Sequence, residues 1–377
     1  AYEIGVRLVG SEMCIRDSTY IPEHKQKKAE AEKTQQEHIA AADKAIQDYE
    51  SNVLPEKLSE WMEGLTIDRF WTTWQPLKPT SVEATKGFTL TVQDNLSVLA
   101  SGGPVAKTDY TLTIPITSAT INGLMLEVIP HDSLTNFGPG IHENGNFVLT
   151  EVQMSHTRTN SPDEVTQVKF VDARADFNQN TFDVKNAIND KLVRDDKGWA
   201  IGGQNGQTGR PHWARFQLQE PIAFDDMGGQ LTIKLFFQYS GGEYPLGCFR
   251  LWTTHSSRPL ELGLPAEVAT VLAMSPENRL EEQKSHLMQW FRDQQPDYYA
   301  QRFARFKESR PLPSDKILQE LTAILETAKQ EIPVDPQIIQ LRNDVQHSIE
   351  QSIHRRLTAA QDLTWALINN SAFLFNH

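Results

Sequence analysis

Cysteine is close to absent. Cys14 and Cys248 are the two in 377 residues, so the chain carries no C-x-x-C zinc or redox pair and no C-x-x-C-H haem attachment. Positive charge is the next shortage. There are 36 Lys and Arg against 49 Asp and Glu, for a formal net charge of -13, and no basic stripe is concentrated anywhere, which argues against a nucleic-acid partner. No apolar run of about 18 residues occurs, so no segment reads as a membrane span. Catalytic signatures are missing as well: there is no G-x-S-x-G, no G-x-x-x-x-G-K-[ST] and no strand-borne G-x-G-x-x-G.

What is present is ordinary globular material, long enough for two or three domains. Residues 8–18 lack periodicity and signal-peptide grammar. They resemble the translated end of a sequencing-library transposon, so residues 1–18 are set aside as an artefact and Cys14 with them. Residues 19–65 read as a helical segment. Ile39, Ala42, Ile46, Tyr49 and Val53 step by three and four along one face, and Pro55 restarts the helix through Leu58, Trp61 and Leu65.

From residue 66 to 258 the period changes to two. Phe88, Leu90 and Val92 alternate with threonines, as do Tyr110, Leu112 and Ile114. Trp213 to Leu218, Leu231 to Phe237 and Leu246 to Thr254 follow, separated by glycine-, asparagine- and proline-rich turns. Short alternating strands so punctuated predict an antiparallel β-sandwich or jelly roll. The fold class is therefore α+β with a mainly β core, flanked by an N-terminal helix and C-terminal helical segments. Residues 259–377 return to the helical period. Ser275-Pro276-Glu277 predicts a helix start, and Thr358-Ala359-Ala360-Gln361 predicts a capping box opening the last helix. Tyr298, Tyr299, Phe303 and Phe306, with Arg302 and Arg305, form a stripe that reads as packing between elements.

The stretch from Leu357 to His377, LTAAQDLTWALINNSAFLFNH, closely resembles the C-terminal signature of a planctomycete-type family of large exported proteins. Those proteins begin with a c-type cytochrome domain and carry domains of unknown function, with an inserted galactose-binding-like or lectin-like sandwich. Gly145 to Met154 and Leu246 to Thr254 are similar to strands of that sandwich. The resemblance implies a periplasmic or extracellular location and a parent bearing haem c outside this chain. It places no cofactor on any residue here.

A sandwich of this kind suggests carbohydrate binding, because sugars offer apolar CH faces ringed by hydroxyls to an aromatic ring with polar neighbours. The candidate residues are Trp199, Trp213, His142 and His212. Ala187-Ile188-Asn189-Asp190 followed by Trp199 is similar to the A-x-D-G…W pattern of discoidin-like sandwiches, with Lys191 in place of the glycine. Packing at the sandwich edge is the plainer account of both tryptophans. Asp190, Asp195 and Asp196 offer hard oxygens suited to calcium, but their spacing matches no EF-hand, and no metal site is assigned. Glu151 is the best single acid for hydrolysis, though a strand carboxylate turned to solvent explains it more simply, and Cys248 reads as a small buried hydrophobe.

The function these observations favour is a non-catalytic binding or scaffolding module of a larger exported protein, with polysaccharide and the parent's other domains as partners. Two alternatives stand beside it: part of a polysaccharide-acting hydrolase or redox enzyme, and a purely structural oligomerisation module.

Overall fold

In the computed structural model, which describes residues 26–65, 72–103, 107–191, 197–203, 207–313, 323–324, 327 and 335–370, the predicted alternation holds in space. Thr108, Tyr110, Leu112 and Ile114 of β5 (Thr108–Ile116) point inward, and Leu231, Ile233, Leu235 and Phe237 of β11 (Gly229–Phe237) do the same. These two strands pair along their whole length. With β2 (Ser81–Ala84), β7 (Glu151–Arg158) and β8 (Ser161–Val168) they form a five-stranded antiparallel sheet in the order β2-β5-β11-β7-β8.

The facing sheet has eight strands. Its main path runs β13 (Leu264–Pro265), β1 (Thr73–Pro76), β12 (Cys248–Thr254), β6 (Ala119–Val128), β10 (His212–Phe224) and β9 (Phe170–Ala175). The hairpin of β3 (Phe88–Val92) and β4 (Val98–Gly102) joins through β4 to the start of β12. Among the described strands only the short β1–β13 pair is parallel. Leu124, Leu126, Val128, Phe216, Phe249 and Leu251 meet the inner face of the other sheet in one hydrophobic core. Cys248 is buried here, and burial pushes its thiol up to about 12, so it acts as packing and not as a nucleophile. The chain is thus an antiparallel β-sandwich with helical flanks.

The helices before and after the sandwich pack together. α1 (residues 26–48) runs through a π-turn (Tyr49–Val53) into α2 (Leu54–Glu63), with Pro55 in its first turn as predicted. The π-turn adds a residue to the repeat, so the buried face passes from Tyr49 to Leu54, and the predicted Val53 is 40% exposed. Tyr49, Leu54 and Leu58 pack with Val268 and Val271 of α3 (Ala266–Ala273), Leu287 and Phe291 of α4 (Glu281–Arg292), and Tyr298 and Tyr299 of α5 (Pro296–Glu308). The aromatic stripe on α5 closes over the sandwich residue Phe137, with Phe306 at 5.7 Å and the Arg302 guanidinium at 5.0 Å. It is a packing surface, as predicted.

Two predicted helix starts are displaced. Ser275-Pro276-Glu277 opens only a single 3-10 turn, without a capping bond from the Ser275 side chain, and the α-helix begins at Glu281. Residues from Leu312 onward form a separate compact unit, described through α6 (Pro336–Ile353) and α7 (Arg355–Ile368). Thr358 lies inside α7, where its hydroxyl donates to the His354 carbonyl instead of capping. No described helix is long and apolar enough to cross a membrane. Residues 1–18, Asp195, Asp196 and the last seven residues of the C-terminal signature lie outside the described residues.

Candidate functional site

The four predicted sugar-site residues do not share an exposed surface. Trp199 is fully buried: its ring meets the edge of Phe147 at 5.1 Å and its Nε1–H donates to the Phe177 carbonyl at 3.0 Å. Gly198 makes this burial possible. Its φ is +56°, and a side chain there would strike the Leu149 carbonyl. An indole with no exposed face offers nothing to a sugar, so Trp199 is core. His212 is also fully buried, with Nδ1 2.9 Å from Asp176 and Nε2 2.9 Å from the Gln207 carbonyl. Both nitrogens face protein acceptors, so it too is structural. His142 is half-buried and stacks on Tyr244 at 4.0 Å. Glu151 is 1% exposed, so it does not turn to solvent.

Trp213 lines a cavity to which Trp199, His142 and His212 do not contribute. The cavity, of about 530 Å³, lies on the outer face of the eight-stranded sheet beneath α3 and α4, within the size range of small-molecule sites. Its floor follows from strand register. Trp213 of β10 pairs with Glu127 of β6, which pairs on its other side with Arg250 of β12. In the next row on that face, Met125 lies between Arg215 and Trp252. Period-two alternation puts both rows outward while Leu124, Leu126 and Leu251 go to the core. β6 is therefore buried on both faces, by the opposite sheet on one side and by the helices on the other.

Helix α4 supplies one wall through His286, Gln289, Trp290 and Asp293, residues spaced to share a face. Trp290 leans back on Trp61 of α2, with ring centroids 5.5 Å apart. The β3–β4 turn contributes Asp94, Asn95 and Leu96, and the start of α3 contributes Glu267 and Val268.

The floor is tightly organised. Glu127 is only 7% exposed, and its Oε2 accepts from Trp252 Nε1 at 3.0 Å and lies 3.0 Å from Arg250 Nε. Arg250 also donates from Nη1 to the Asn95 carbonyl and lies over the Trp252 ring at 5.1 Å. Burial pushes the Glu127 carboxyl up, against the opposing pull of Arg250 and the Trp252 hydrogen bond. Asp293 sits at the opening with 46% of its side chain exposed. Its position within the concave surface still raises its pKa, against the pull of Arg292.

No family model matches the chain. No curated protein matches it either. Among solved structures, a "Carbohydrate binding module family29" is similar over 45% of this chain and 90% of its own, at 12% identity and a TM-score of 0.15. Likeness at that level carries no weight for the site.

The missed residues left faint marks in the sequence. Glu127 and Arg250 are single charged residues inside apolar strand runs, and Trp290 stands among the apolar positions of α4. Among the described residues no group of three His, Cys, Asp or Glu side chains could hold a metal ion.

Proposed function

We propose that the chain is a non-catalytic glycan-binding module and that the cavity over Trp213, Glu127 and Arg250 is its site. The observation that carries this is the pairing of two half-buried indoles, Trp213 and Trp290, with a ring of carboxylate, amide and guanidinium groups in one concave surface. Indole faces suit the apolar side of a pyranose, and the polar groups suit its hydroxyls. Trp252 is covered by Arg250 and holds Glu127, so it shapes the floor without serving as a platform.

The test is glycan-array retention followed by calorimetry. Trp213→Ala and Trp290→Ala should each weaken binding about tenfold, the loss of about 1.4 kcal/mol that one stacked ring supplies. Wild-type affinity in both variants would overturn the assignment.

Hydrolysis is the second reading, favoured by two carboxyls with raised pKa, Glu127 and Asp293, lining one cavity. It predicts glycan cleavage by the chain that Glu127→Gln abolishes. The planctomycete-type resemblance extends the proposal to an exported, haem-bearing parent, which the neighbouring genomic sequence would test.

A further inference from the structure

We infer that the glycan taken by this cavity is positively charged, an amine-bearing oligosaccharide such as a glucosamine oligomer; this rests on the glycan-binding reading above. Four carboxylates line the cavity (Asp94, Glu127, Glu267 and Asp293) against one guanidinium, Arg250. That cation is already engaged, by Glu127, by the Asn95 carbonyl and by the Trp252 face.

Depth separates the acids. Glu127 is at the floor, while Glu267 at 71% exposed and Asp293 at 46% stand at the opening with the exposed Asp94. Asp293 shares Arg292 with Glu50, and among the described residues Glu267 has only His286, at 3.7 Å. The opening therefore keeps an excess of negative charge over low-dielectric walls, which concentrates cations and repels anions. At the floor both contacts of Glu127 go to Oε2, leaving Oε1 without a hydrogen-bond donor among the described residues. An ammonium group supplies such a donor together with the charge, and the faces of Trp213 and Trp290 attract it further. A sulfated or uronic-acid glycan would bring like charge to the opening.

The experiment titrates the full chain, by calorimetry and indole fluorescence, with a glucosamine tetramer, its fully N-acetylated counterpart and a sulfated tetramer, at 50 and 300 mM NaCl. The glucosamine tetramer should bind at least tenfold more tightly than the acetylated one. The preference should shrink at high salt and in the combined variant Asp94→Asn, Glu267→Gln, Asp293→Asn, with far-ultraviolet circular dichroism and an unchanged melting temperature as the check that the fold is kept. Equal or tighter binding of the acetylated or sulfated tetramer would overturn the charge inference and leave glycan binding standing. Failure of all three tetramers to bind, together with no retention on the glycan array, would overturn both.

Discussion

Replacing Trp199 should damage the sandwich and spare the cavity. Its indole has no exposed surface, packs edge-on against Phe147, and donates one hydrogen bond to the Phe177 carbonyl. Truncating a buried tryptophan to alanine costs about 3–5 kcal/mol, through lost transfer free energy and the cavity left behind. The Phe177 carbonyl, stripped of its donor, adds about 1 kcal/mol. Total stability of a domain is about 5–15 kcal/mol, so Trp199→Ala should stand near the limit of folding. Trp199→Phe is the sharper perturbation, since it keeps most of the ring and removes the N–H, for a cost of about 1–2 kcal/mol. Urea unfolding followed by far-ultraviolet circular dichroism measures that cost, and calorimetry on the same sample measures glycan affinity. The expected outcome is an earlier midpoint with unchanged affinity. A wild-type midpoint with lost affinity would refute the reasoning, because it would make the indole a ligand contact.

Two further outcomes concern buried charge and pH. Arg250→Leu should cost about 3–5 kcal/mol, because it leaves the 7%-exposed Glu127 without its cation, and adding Glu127→Gln should recover part of the loss; a double-mutant cycle in urea with no coupling would contradict this. His156 on β7 is half-buried against Phe224, and burial, with Arg158 adding to it, holds its pKa below the ordinary 6.5. The unfolded chain therefore takes up the proton first as pH falls, and the stability this group contributes is present above about 6.5 and lost as pH drops through the lower folded value. His156→Phe should flatten the fall in melting temperature between pH 7.5 and 5, and an unchanged slope would argue against it.

The sandwich could be read from the sequence where one face of a strand is wet. β3 and β5 alternate with threonines, β11 alternates with Gln230, Thr232 and Lys234, and all three announce themselves. β6 does not, because Leu124, Met125, Leu126, Glu127 and Val128 are covered on both sides, so the apolar run has no period to detect. The strand hardest to recognise is thus the one that carries the central carboxylate. Trp213 was recoverable from its residue type and Glu127 was not, since only strand register sets Glu127 between Trp213 and Arg250. Trp199 and Trp213 look alike in sequence; what separates them is Gly198, whose left-handed turn sends one indole inward.

The contact between Trp61 and Trp290 ties the cavity to a distant part of the chain. None of the described residues before Pro76 lines it, yet the wall bearing Trp290 rests on a helix that precedes the whole sandwich, and Lys57–Asp297 and Glu50–Arg292 ion pairs clamp the same seam. A truncation starting at residue 72 would keep every lining side chain and lose the buttress behind one of them. The cavity is accordingly built from both ends of the first unit, and is complete only once synthesis has passed Trp290.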